Sequence, residues 1–566
     1  MRRLIAALAL ALTAAEAAAA RTPEPAPVIA RYGLVVAQEA RAARIGADIL
    51  KNGGNAVDAA VATGFALAVT YPRAGNIGGG GFMLIHLARG GRNIAIDYRE
   101  TAPAATTPDV FLDDQGEADP DKSRNSGLAI GVPGTVAGLA AAHRKYGSGR
   151  FTLAQLIAPA TALAREGFVV DGDLADTLDG ARRLFARWPS SAKIFLKSDG
   201  SSLKAGDRLV QADLAATLSA IAARGPGAFY RGTIAARIAA AVRAAGGRMS
   251  ANDLRDYRAI ERRPVTGRYR GYDVVSMPPP SSGGVHLIEM LNMLEDYPLK
   301  SLPPQRPDHA HLLIEAMKRA YADRAVYLGD PDFVAVPVAR LISKDHARRW
   351  RRSIDPARAV PARSIRAGGT LVREGDNTTH FSVVDRFGNA VANTYTLNLS
   401  YGVGLIADGT GVLLNNELDD FAARPEAPNA FGLVGGKANA PGPRKRPLSS
   451  MTPTVVLKDG KPFLVTGSPG GSRIITTVLQ VIINVIDHGM DVARAVAAPR
   501  LHHQWLPDMV FVEPEFPEAT LEALRARGHA IETRAPMTAA NSIMVTRAGL
   551  AGAADTRTRG ALAAGH

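Results

Sequence analysis

Two hydrophobic rhythms alternate along the chain, and they predict both helices and strands. A period of two marks the hairpin His380–Asp385 and Ala390–Leu397, joined by a Phe387-Gly388-Asn389 turn. Tyr32–Gln38, the hairpin Phe82–Leu87 and Asn93–Tyr98, the segment Gly267–Met277, and the pair Thr454–Leu457 and Phe463–Thr466 also read as strands. A helical period marks Glu39–Lys51, ending at Gly53-Gly54, and Ala56–Val69, ending before Tyr71-Pro72. Residues 133–244 read as mostly helical. Further helices follow at His286–Met293, His309–Leu328, Ala339–Arg352 and Ala519–Arg527. The helix Ile474–Ile486 is apolar on most of its surface, which predicts burial.

Three stretches break the rhythm. Residues 353–377 lack a steady period, and glycines at 368, 369 and 375 loosen them, which suits a propeptide-like tail just before Thr378. Four successive glycines in NIGGGGFM (Asn76–Met83) permit close backbone approach, without phosphate-loop spacing or a following lysine. PPPSSGG (Pro278–Gly284) reads as a stiff turn opening a helix, and Pro425–Pro447 as a proline-bounded loop.

Length and composition then narrow the class. A chain of 566 residues with 46% hydrophobic content buries a sizeable core. The first twenty residues have a charged start, an apolar run and a small-residue end, the layout of a secretory signal peptide; a periplasmic or secreted product is expected. No later stretch is apolar for long enough to span a bilayer. The formal net charge of +14 comes from scattered basic residues without an aromatic-interleaved stripe, so no nucleic-acid partner is read from it. With no cysteine, disulfides, thiolate metal sites and cysteine nucleophiles are excluded.

The chemistry gathers around DNTTHFSVVDRFGNAVANTYTLN (Asp376–Asn398). Thr378 and Thr379 open the first strand, and Thr394, Thr396 and Asn398 share one face of the returning one. A threonine exposed by a cut before it carries nucleophile and base on one residue, since an α-amine titrates near ~7.7–8.0 whereas a lysine titrates near ~10.4. Read singly, the stretch fits a plain β-hairpin equally. GSPGGSR (Gly467–Arg473) sets Gly470 and Gly471 between a strand and a helix N-terminus, where backbone N–H groups suit an oxyanion; a glycine turn is the competing reading. Ser449 and Ser450 in RKRPLSSM and Arg99 in DYRETAP suit a carboxylate, and Asp420 suits an ammonium. His309, His311 and Glu315, and His502-His503, lack zinc-site spacing, so no metal is expected. SSAK and SSLK (Ser190 to Lys193, Ser201 to Lys204) lack the partner motifs of penicillin-recognising enzymes.

NTTHFSVVD, TYTLN, NNELDDF, RPLSSM and GSPGGSR, in that order, together with DYRETAP and PPPSSGG, resemble the γ-glutamyltranspeptidase family from about Tyr32 to Gly565. The resemblance implies an α+β fold, a four-layer αββα sandwich of the N-terminal-nucleophile hydrolase type. It implies a precursor cut between Asn377 and Thr378 into a large subunit (about 21–377) and a small one (378–566) that stay together as a heterodimer. It makes Thr378 the nucleophile, Thr396 its supporting hydroxyl, and Gly470 and Gly471 the oxyanion hole. Arg99, Ser449 and Ser450 become the α-carboxylate clamp, and Asn398, Glu417 and Asp420 the α-amino binders. The implied activity is cleavage of the γ-glutamyl amide of glutathione and related compounds, with transfer to water or to amino acids and peptides, without cofactor or metal.

Two positions depart from the pattern: Glu417 stands where some bacterial members carry Gln, and Phe431, in the lid-like loop Pro428–Pro447, where others carry Tyr. A glutaryl-cephalosporin acylase of the same fold is the nearest alternative, and an exported non-catalytic binding protein the next.

Overall fold

The computed structural model describes residues 24–365, 378–425, 427–536 and 538–566. The leader 1–20, the tract before Thr378 from residue 366 onward, and Asn377 lie outside the described residues.

Two seven-stranded sheets stack face to face. One runs, edge to edge, Leu562–Gly565, Gly33–Ala37, Thr379–Asp385, Ala390–Thr396, Gly80–Leu87, Arg92–Tyr98 and Ile260–Arg262. The other runs Val28–Ala30, Gly549–Ala554, Asn541–Thr546, Lys461–Thr466, Thr454–Lys458, Tyr272–Ser276 and Val265–Tyr269. Neighbours in both sheets are antiparallel.

Strand alternation builds the layers. Leu34 and Val36, with Phe82, Leu84, Val455 and Val465, fill the space between the sheets. Val35 and Ala37, with Met83, Ile85 and Val383, face outward onto the helices Ala40–Lys51 and Ala56–Thr70. Because both faces are covered, these strands read as near-continuous apolar runs. Across the second sheet, Val274, Val456 and Leu464 pack against the helices Gly283–Leu294, Pro307–Tyr327 and Ile474–Ile486. The order helix–sheet–sheet–helix is the expected αββα sandwich.

Local chemistry explains the helix starts. Asn55 caps Ala56–Thr70 in a reciprocal box with Asp58, and every residue of that helix is buried. Two expected elements divide. Gly267–Met277 is a hairpin, Val265–Tyr269 and Tyr272–Ser276, because Arg270 and Gly271 both adopt positive φ (51° and 86°), the signature of a two-residue turn. The expected helix Ala339–Arg352 is two, Val338–Leu341 and Lys344–Arg351, since Ser343 caps the second through the His346 N–H.

Of the irregular tract 353–377, the described part is anchored. Ala362 N–H donates to Asp508 Oδ2 (2.8 Å), Trp505 Nε1 donates to the Ala362 carbonyl (2.8 Å), and Lys318 Nζ donates to the Val360 carbonyl (2.9 Å).

Candidate active site

The site lies at one end of the two central strands of the first sheet. Thr379 pairs with Tyr395, and the register one step further sets Thr378 opposite Thr396. Their hydroxyls meet, Thr378 Oγ1 to Thr396 Oγ1 at 3.3 Å, and both residues are buried. Thr396 Oγ1 also accepts the Asn398 N–H (2.9 Å), and its carbonyl accepts Asn76 Nδ2 (2.8 Å). Asn76 Oδ1 in turn receives the Gly79 N–H and the Thr135 hydroxyl, each at 2.8 Å. The glycine loop therefore braces the strand end that faces Thr378. Close packing requires its glycines: a Cβ on Gly79 would overlap the Thr396 carbonyl.

His380, two residues on, is not a base for Thr378. It is fully buried between the sheets, with Thr394 Oγ1 (2.8 Å) and Ser382 Oγ (3.0 Å) at its two nitrogens, and burial holds its pKa down to about 3.

Beside Thr378 lies a nearly filled cavity of about 20 Å³, lined by Thr396, Asn398, Arg99, Glu417, Asp420, Phe431, Ser449, Ser450 and Gly471. The fully buried Arg99 is its electrostatic centre. It donates to Glu417, to Asp420 and, through Nε, to the Pro447 carbonyl (3.1 Å). Burial pushes the Glu417 carboxyl well above the usual range, opposed by Arg99, and pushes Asp420 up likewise. Asp420 Oδ1 also accepts Asn429 Nδ2 (2.9 Å). The Asn398 amide is held by the Asn416 carbonyl (3.0 Å), which fixes its positive φ of 77°.

PPPSSGG holds the hydroxyl pair. Ser281 Oγ donates to the Met451 carbonyl (2.6 Å), Ser282 N–H and Oγ both donate to the Ser449 carbonyl (2.8 and 2.7 Å), and Ser449 N–H donates to the Pro280 carbonyl (2.9 Å). On the other side of Thr378, a cavity of about 210 Å³ is lined by Gly470, Pro469, Gln38, Arg73 and Thr558, among others. Gly470 and Gly471 have φ of 123° and 54° and lead through the turn Gly471–Arg473 into the helix Ile474–Ile486. The Tyr321 hydroxyl donates to the Ser472 carbonyl and supports that turn.

Phe431 closes the first cavity. Its ring lies against Gly471, where a Cβ would overlap it. Its loop is latched by Asp419 Oδ2 accepting the Ala430 N–H (2.8 Å), by Asn429 Oδ1 accepting the Phe431 and Leu433 N–H groups (3.0 and 3.1 Å), and by Gln504 Nε2 donating to the Phe431 carbonyl (3.0 Å).

One buried acid next to the pocket's arginine escaped the sequence reading. Glu100, directly after Arg99, is fully buried, and neither carboxylate oxygen has a hydrogen-bond partner among the described residues. Burial pushes it up to about 8 against the pull of Arg99.

The remaining candidates lie elsewhere. His309 meets His488, and His311 meets His529 and the Asp355 carbonyl. Glu315 pairs with Arg319 and Lys318, and one ligand atom from each of His311, Glu315 and His529 lies within 4.8 Å of the others. His502 bonds Thr476 and Gln504, and His503 bonds Asp508. Ser190 donates to the Ile406 carbonyl and Ser201 to Asp199, both structural contacts.

Four layers with a threonine at the head of a central strand define an N-terminal-nucleophile hydrolase fold. The structure resembles that of the cephalosporin acylase from Bacillus halodurans (TM-score 0.83, 28% identity, covering 97% of this chain and 98% of that one). It also resembles the γ-glutamyltranspeptidase of Helicobacter pylori (TM-score 0.56, 47% identity, 60% of this chain and 96% of that one). A sequence profile described as gamma-glutamyltranspeptidase matches residues 42–565, and the glutathione hydrolase proenzyme of Escherichia coli (strain K12) is 53% identical over 542 residues, 95% of this chain and 93% of the relative. The chain belongs to the γ-glutamyltranspeptidase family.

Proposed function

We propose that this protein is a self-processing threonine-nucleophile enzyme that cleaves the γ-glutamyl amide of glutathione and related compounds. The precursor divides between Asn377 and Thr378 into a large subunit, about 21–377 once a signal peptide of residues 1–20 is removed, and a small subunit, 378–566, which remain one catalytic unit. Division is chemically necessary. Until the Asn377–Thr378 amide is broken, Thr378 has no amine to act as its base.

In the mature enzyme the Thr378 amine takes the hydroxyl proton as Oγ1 attacks the γ-carbonyl carbon. Thr396 orients Oγ1, and the Gly470 and Gly471 N–H groups receive the oxyanion. The amide nitrogen leaves with the proton as cysteinylglycine, and the γ-glutamyl group remains as an ester on Thr378. Water, or the amine of an amino acid or peptide, then attacks the ester and restores Oγ1. The donor's α-carboxylate is held by Arg99, Ser449 and Ser450, and its α-ammonium by Asn398, Glu417 and Asp420. Export to the periplasm or beyond follows from the leader; among the described residues no helix is long and apolar enough to cross a membrane.

The observation that carries this reading is the close pairing of Arg99 with Glu417 and Asp420 beside the Thr378 hydroxyl. One cation lies between two acids. An α-amino acid head group brings both charges and exchanges with both. A glutaryl donor, which the likeness to a cephalosporin acylase brings into question, has no ammonium for Glu417 and Asp420. Denaturing electrophoresis with intact mass, on wild type beside Thr378→Ala, tests processing: two chains with the smaller beginning at Thr378, against one uncut chain in the variant. A single chain in both would favour a binding protein. Faster cleavage of glutaryl than of γ-glutamyl anilide would make the protein an acylase.

A further inference from the structure

We propose that Arg324 is a positioning residue for the donor's α-carboxylate, acting through the Ser450 hydroxyl; this rests on the γ-glutamyl reading of the site. Arg324 lies in the last turn of Pro307–Tyr327 and is 4% exposed. Its Nε donates to Ser282 Oγ (3.1 Å) and its Nη2 to Ser450 Oγ (3.3 Å). Among the described residues, no carboxylate lies within 4.0 Å of its guanidinium. Other fully buried arginines differ: Arg99 has Glu417 and Asp420, Arg319 has Glu315, and Arg500 has Asp555. Burial, the larger effect, lowers its pKa to about 10 against the pull of Asp420, which acts on it only from beyond ion-pair distance, and it stays charged at neutral pH.

The hydroxyl geometry says where an anion would be received. Arginine only donates, so Ser450 Oγ must accept from it and turn its own proton elsewhere. Ser449 Oγ is in the same position, because it accepts the Met451 N–H (3.1 Å). Neither hydroxyl proton has an acceptor among the described residues, and both serines line the cavity beside Thr378. Arg324 thus polarises one clamp hydroxyl directly. Through Ser282, whose hydroxyl donates to the Ser449 carbonyl (2.7 Å), it also fixes the backbone that carries the other. With Arg99 shared between two acids, Arg324 supplies the positive charge that an incoming carboxylate would otherwise lack. A residue serving only to tie the helix to the Ser449–Met451 segment would need no charge.

The test compares the processed enzyme and its variants on γ-glutamyl-p-nitroanilide and on the analogue whose α-carboxylate is an α-carboxamide. Arg324→Gln is expected to raise KM for the carboxylate donor about 10–100-fold, the loss of one hydrogen-bonded charge, with kcat changed less than about threefold. KM for the carboxamide donor should stay within about threefold, since that donor lacks the anion the charge serves. Arg324→Lys should recover part of the loss, and Ser450→Ala should add little on top of Arg324→Gln, as expected for groups acting in series. Equal rises in KM for both donors, or full additivity with Ser450→Ala, would overturn the proposal. If Arg324→Gln fails to divide into two chains, Arg324→Lys tests the fork to Ser282 and Ser450 instead: a smaller rise in KM confined to the carboxylate donor is expected, and equal rises for both donors would overturn the proposal. Wild type that divides but cleaves neither donor would remove the γ-glutamyl reading itself; wild type that cleaves the carboxylate donor leaves Arg324 alone in question.

Discussion

The hydroxyls of Thr378 and Thr396 meet at 3.3 Å across the central pair of strands, and the Asn398 N–H holds Thr396 from behind. Thr396 Oγ1 therefore has a fixed donor and a fixed neighbour, and in the proposed mechanism it would preset the direction in which Oγ1 of Thr378 attacks. Removing the hydroxyl while keeping the shape, in Thr396→Val, is expected to lower kcat about 10²-fold, the typical cost of misplacing a reacting group. KM should move little, because the head-group contacts lie on other elements. Processing of the precursor should slow as well, since the same hydroxyl attacks. Single-turnover acylation and the rate at which two chains appear measure both effects; an unchanged acylation rate would remove Thr396 from the mechanism.

Glu100 and Glu289 are both fully buried carboxyls pushed up to about 8 by desolvation, above their ordinary 4.5. His286 opposes the shift at Glu289 as Arg99 does at Glu100. The folded state then holds protons that the unfolded state has already released between pH 4.5 and 8. Stability from these groups is fully present below pH 4.5, declines as pH rises through that window, and levels off above about 8. Buried neutral histidines such as His380 work in the opposite sense, with stability lost as pH falls from 6.5 toward about 3. Glu100→Gln and Glu289→Gln should each flatten the decline in melting temperature between pH 5.5 and 8.5 without touching the acid limb. Scanning calorimetry over that range checks this, and wild-type slopes in both variants would refute it.

Much of this site was legible in the sequence because its parts are short and local. The central hairpin, the glycine loop and GSPGGSR each carry their own backbone logic. What was not legible depends on tertiary surroundings. The strands Gly549–Ala554 and Leu562–Gly565 are rich in alanine and glycine, with little intrinsic β preference, and exist because neighbouring strands pair with them, the first between Val28–Ala30 and Asn541–Thr546 and the second at an edge beside Gly33–Ala37. Lys318, Arg319, Asp323 and Arg324 spell a solvated helix face, yet all four are buried. Glu100 reads as an ordinary surface acid next to Arg99 until burial strips its carboxylate of partners.

Asp420 is the group through which γ-glutamyl and glutaryl donors should part. It bonds Arg99 and Asn429, and its side chain lines the cavity beside Thr378. Asp420→Asn keeps the shape and removes the charge. KM for a γ-glutamyl anilide is expected to rise about 10–100-fold, the range of a charged hydrogen bond. A glutaryl anilide, with no ammonium, should bind no worse and should gain from the lost negative charge. Steady-state kinetics on the two anilides decides it, and parallel losses on both would mean that Asp420 serves only to hold Arg99.

The Phe431 ring and the Gly471 backbone set the last constraint, because the ring occupies the space a side chain at 471 would need. Gly471 also adopts φ of 54°, which costs an L-residue about 1–2 kcal/mol. Gly471→Ala therefore meets two obstacles, and both act on the turn that presents the oxyanion donors. A turn displaced to relieve them misdirects an N–H, and losing one such donor typically lowers kcat about 10²–10³-fold. The two obstacles separate experimentally. Phe431→Ala in the Gly471→Ala background removes the overlap and leaves the backbone strain, so kcat should recover in part if the ring is the main obstacle. The same ring lines the cavity beside Thr378. A hydroxyl restored in Phe431→Tyr adds a polar latch to the loop and should raise the ratio of transfer to hydrolysis at fixed acceptor concentration. Product analysis with a γ-glutamyl donor and a dipeptide acceptor gives that ratio, and an unchanged value would place the control of water elsewhere in the loop.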